Sequence, residues 1–65
     1  MSGIGLGFAR VRTETEKAVL FDTAEHGALW IPQSAIHDDS ETWNLENPSG
    51  KLVVEEWFAD KRGLV

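Results

Sequence analysis

From Phe8 to Asp22 the side chains alternate at the period of an extended chain. Arg10, Arg12, Glu14 and Glu16 share one parity, and Val11, Thr13, Thr15, Lys17, Val19 and Phe21 the other. Within this stretch Ala18-Val19-Leu20-Phe21 is apolar on both faces, as in a strand entering a core. The polar run Asp22-Thr23-Ala24-Glu25-His26-Gly27 ends in glycine and suits a hairpin connection. Ala28-Leu29-Trp30-Ile31 is then the return strand, stopped by Pro32 because proline cannot donate to a ladder. Pro32 to Ile36 predicts a tight turn or one 3₁₀ turn that drops Ile36 back into the core. After the polar loop His37-Asp38-Asp39-Ser40, the segment Glu41 to Leu45 alternates with Trp43 and Leu45 on one face. Glu46 to Gly50 carries turn chemistry and Lys51 to Val54 reads as strand, so 41–54 is expected as a second hairpin.

The C-terminal pattern is helical. Glu55 to Arg62 places acids at the positive end of the helix and bases at the negative end, as the macrodipole favours. Gly63 is expected as a left-handed C′ residue, with Leu64 packing back on Phe58 or Ala59. Two turns are too short to stand alone, so Trp57 or Phe58 must anchor them to the sheet. Glycine at 3, 5 and 7 costs backbone entropy, and residues 1–7 are expected as a flexible arm beside a single domain over 8–65. The predicted fold is a small α+β domain. Two hairpins form an antiparallel sheet, SH3-like or a partly open barrel, closed by a short C-terminal helix.

Composition narrows the class. Sixty-five residues make one small domain, and the absence of cysteine removes disulfides and thiolate metal sites as staples. No apolar run approaches the roughly 18–20 residues of a membrane span, and Met1 to Phe8 is too short and glycine-rich for a signal peptide. A cytoplasmic, soluble chain without membrane contact is expected. The net charge of −5 is unevenly placed. Met1 to Leu20 has three bases against two acids, Phe21 to Gly50 has six acids and no base, and Lys51 to Val65 has three of each. The acidity therefore belongs to the middle of the chain.

Three segments carry a resemblance: Thr15-Glu16-Lys17-Ala18, then Trp30-Ile31-Pro32-Gln33-Ser34-Ala35-Ile36-His37-Asp38-Asp39-Ser40-Glu41, then Leu52-Val53-Val54-Glu55-Glu56-Trp57-Phe58-Ala59-Asp60-Lys61-Arg62-Gly63-Leu64. Together they resemble a group of small uncharacterised proteins met in phages and bacterial genomes. In that group lysine often stands at the position of Gln33 and proline at that of Glu55. The resemblance implies a compact domain in a mobile-element setting and brings no activity with it.

His37-Asp38-Asp39-Ser40-Glu41 is the one dense run of potential metal ligands, and His26 could add an imidazole if the loops converged. Its spacing matches no loop template, and turn capping by Asp38, Asp39 and Ser40 is the simpler account; no metal or other cofactor is expected. Ser34, His37 and Asp39 have the residue types of a hydrolytic triad, but three residues of one loop seldom meet triad geometry, so no enzyme is expected. Trp30 and Trp57 are expected in the core, whereas Trp43 beside the acidic loop is the candidate exposed anchor. The leading expectation is a non-enzymatic, regulatory or accessory protein-binding module. Asp38, Asp39, Glu41, Trp43 and His37 would meet a basic protein partner. The alternative is a nucleic-acid-binding accessory protein using Arg10, Arg12, Lys17 and an exposed aromatic. A four-stranded sheet has two edges, compatible with a symmetric homodimer or with edges protected by charge.

Overall fold

The computed structural model describes residues 3–64. Four strands, β1 (Gly3–Glu14), β2 (Ala18–Thr23), β3 (Gly27–Pro32) and β4 (Ser49–Glu55), form one antiparallel sheet in the order β3-β2-β1-β4. The helix α1 (Glu56–Lys61) follows β4 directly. This is the expected small α+β fold with an open, SH3-like sheet, reached by a different strand pairing.

The extended stretch from Phe8 to Asp22 is two strands. Thr15 breaks it: its amide donates to the Ala18 carbonyl at 2.8 Å, and its hydroxyl oxygen accepts from the Ala18 amide at 3.2 Å. Such local side-chain bonding turns the chain in place of a longer ladder. The β2–β3 hairpin forms in register, with Thr23 opposite Gly27. The expected hairpin over 41–54 does not form. Asn44 Oδ1 accepts from the amides of Glu46 and Asn47, both at 3.0 Å, which closes a tight turn instead of extending a strand. β4 pairs with the glycine-rich start of the chain.

That start is strand, not arm, from Gly3 onward; Met1 and Ser2 lie outside the described residues. Ile4 and Leu6 face inward, opposite Val54 and near Leu52. Between Gly5 and Phe8 the register shifts, so Leu6 and Gly7 oppose the single residue Leu52, with Gly7 at φ +80. Glycine takes that conformation without steric cost. The shift moves the inward parity from 4 and 6 to 9 and 11, and Leu6, Ala9 and Val11 are all buried. Gly3 is required by closeness, because a Cβ there would stand 2.9 Å from Cγ of His37.

Both ends of the sheet are drawn together. After β3, a 3₁₀ turn (Gln33–Ala35) returns the chain, and Ile36 bridges Val54 of β4 at the other end of the sheet. From the opposite direction, Arg62 beyond α1 donates from Nη2 to the Trp30 carbonyl of β3 at 3.1 Å. Phe21, Ile31, Leu52, Val19 and Val54 fill the enclosed core, and Phe58 and Ala59 attach α1 to it. The helix ends as expected. Gly63 at φ +71 lets its amide reach the Asp60 carbonyl and lets the Leu64 amide reach that of Ala59 at 2.8 Å, and Leu64 packs on the core.

Two expected core residues lie outside. Trp30 is 45% and Trp57 52% exposed. On β3 the inward parity belongs to Leu29 and Ile31, which leaves Trp30 facing out beside Leu20. On α1 the inward face is taken by Phe58, and Trp57 meets it edge-on with ring centroids 6.0 Å apart. The alternation at 41–45 is likewise inverted: Thr42 is fully buried, while Trp43 and Leu45 are exposed.

Candidate functional site

The free edge of β4 needs partners for its amides and carbonyls, and the acidic loop supplies them. The His37 amide donates to the Val53 carbonyl at 2.9 Å, and the Glu41 amide to that of Lys51 at 2.9 Å. In return, Ser40 Oγ accepts from the Val53 amide at 3.1 Å and Glu41 Oε1 from the Lys51 amide at 3.0 Å. Serine and glutamate side chains thus stand in for a fifth strand. Further along, Thr42 Oγ1 donates to the Asn47 carbonyl at 2.6 Å, and Glu14 Oε1 accepts from the Leu45 amide at 2.7 Å. A register shift at Arg12 makes Glu14 the partner of Val19, on the side where this loop lies.

These bonds sort the expected binding residues. Glu41 is committed to the β4 backbone. His37 is largely buried, its side chain 13% exposed, and its Nδ1 accepts from the Asp39 amide at 3.0 Å. The Asp39 carboxylate lies 3.7 Å from the same nitrogen. Asp38 and Asp39 are exposed. Trp43, 45% exposed, joins His37, Asp38, Gln33 and Ile36 around an open groove of about 310 Å³. Three of the five expected residues are therefore brought together, and Gln33 and Ile36 are added by the 3₁₀ turn. Among the described residues no three His, Cys, Asp or Glu side chains converge as metal ligands, and no hydrogen bond joins Ser34 to His37.

The alternative basic set is exposed along β1 and the turn after it. Arg10 is opposite Asp22, Arg12 sits at the register shift, and Lys17 is in the β1–β2 turn. Four residues of β1 separate Arg10 from that turn, roughly 13 Å at 3.3 Å per residue. A second groove, of about 380 Å³, lies beside α1. Trp30, Trp57, Phe58, Ala18 and Pro32 line it, with Lys61 and Arg62 as its charged groups. The Arg62 guanidinium carbon stands 5.3 Å from the Phe58 ring centroid, which holds that cation at the groove. The only signal for it in the sequence was the number of tryptophans.

No helix among the described residues is long and apolar enough to cross a membrane. No family model, curated protein or solved structure matches the chain.

Proposed function

We propose that the protein is a cytoplasmic, non-enzymatic protein-binding module of accessory or regulatory type. Its docking site is the groove of Gln33, Ile36, His37, Asp38 and Trp43, and its partner carries a basic surface. The observation that supports this most is the preorganised anchor. A half-exposed indole stands beside an unburied carboxylate, on a loop tied to β4 by backbone and side-chain bonds. A rigid aromatic with a charged rim is the usual make-up of an interface hot spot, because little side-chain entropy is lost on docking. The exposed Asp39 next to Asp38 adds to the same sign of charge and would speed encounter with a basic partner.

The nucleic-acid reading has less support, since the chain carries −5 overall and neither groove is lined by Arg10, Arg12 or Lys17. Crosslinked capture from cell extract tests the proposal, with wild type, Asp38→Lys/Asp39→Lys and Trp43→Ala as baits. Glu41 is left intact because it holds the β4 backbone. Both variants are expected to lose the same captured proteins while unfolding at the wild-type urea midpoint. Unchanged capture by both refutes the site.

A further inference from the structure

Two grooves of opposite charge meet at one peptide bond. Gln33 lines the groove that holds Trp43 and Asp38, and Pro32 lines the groove that holds Trp30, Trp57 and Lys61. All three tryptophans of the chain are half-exposed in these two grooves. A surface with an acidic aromatic half next to a basic aromatic half is complementary to its own two-fold image. A two-fold axis near Pro32–Gln33 would set each acidic groove against the basic groove of the other copy.

We propose that this paired surface is the interface of a symmetric homodimer. The inference rests on the acidic groove being a protein-binding site and names its basic partner as the Trp30–Trp57 groove of a second copy. Edge-to-edge pairing of sheets is the competing route, and the fold obstructs it. The β4 edge is occupied by the His37–Glu41 loop, and on β3 the Trp30 carbonyl is taken by Arg62 while Pro32 has no amide to offer. Both edges thus offer an incomplete ladder, which favours contact through side chains. A stable interface buries about 800 Å² per partner, roughly one fifth of the 4074 Å² surface of this chain, so the contact must extend beyond the two grooves themselves.

Charge exchange tests it on the purified full chain. Asp38→Lys alone and Lys61→Asp alone each place like charges across the axis twice, and each is expected to weaken the dimer at least about tenfold in sedimentation equilibrium. An equimolar mixture of the two variants restores opposite charges at both contacts, so dimer returns as the mixed species. Trp57→Ala is expected to weaken association by a similar factor without such rescue. The wild-type dimer should also show a blue-shifted tryptophan emission that reverts on dilution. A chain that stays monomeric up to millimolar concentration overturns the inference, and so does a dimer indifferent to both reversals. If that happens while Asp38→Lys/Asp39→Lys still loses captured protein, the acidic groove binds a different partner. If capture is unchanged as well, both readings fall.

Discussion

Ser40→Ala removes the hydroxyl that clamps the loop to β4. Ser40 is 4% exposed; its Oγ donates to the Thr42 carbonyl at 2.7 Å and accepts from the Val53 amide at 3.1 Å. The Lys51 carbonyl is 3.4 Å away, and one hydroxyl proton serves the nearer acceptor. Alanine fits the space, so the cost is that of leaving a buried amide and a buried carbonyl without partners. At about 1–3 kcal/mol per orphaned group, the two groups together put the expected loss at about 2–6 kcal/mol. A core of this size supplies only about 3–5 kcal/mol in all, so the variant should approach the limit of folding. Urea unfolding followed by tryptophan fluorescence measures the loss, with Asp39→Ala as an exposed neighbour for comparison. The melting temperature should fall by about 4–8 °C for each kcal/mol. Hydrogen exchange gives an independent reading, because the Val53 amide should lose protection before the amides of β2. A loss below about 0.5 kcal/mol, the range of ordinary surface changes, would refute the view that side chains complete this sheet edge.

Gly63→Ala forces a Cβ into φ +71 and should cost about 1–2 kcal/mol in urea unfolding, with fraying confined to α1 and Leu64 in amide exchange. Gly3→Ala places its Cβ 2.9 Å from His37 Cγ and closer still to Val53, so a loss of about 1–3 kcal/mol is expected. The His37 ring resonances should shift in the same variant; unchanged stability and unchanged ring shifts would mean that the ring does not rest on Gly3.

Structure is legible in the sequence wherever one short segment decides its own conformation. The C-terminal closure follows from Gly63 and Leu64 alone, and the 3₁₀ turn that returns Ile36 follows from Pro32 and its successors. Of the candidate site, His37, Asp38 and Trp43 were legible because a polar loop beside an aromatic is a local pattern. Glu41 has a structural role that no local pattern marks. Its use as an acceptor for the Lys51 amide depends on a strand ten residues away, and nothing near Glu41 in the chain announces it.

The sequence by itself determined a small α+β chain: where it turns, where its helix stops, and that its middle is acidic. Tertiary structure alone decided which strand β4 meets and which aromatics stay outside. Strand pairing is a choice between distant segments. Glycines 3 and 5 look unsuited to a strand until His37 and Lys51 fill the space above them. Exposure of Trp30 and Trp57 was hidden for a related reason. Hydrophobicity says that a side chain gains from burial, but the inward positions of β3 and α1 were already held by Leu29, Ile31, Phe58 and Ala59. A core of this size has no room for both sets, and the parity of the backbone chose between them.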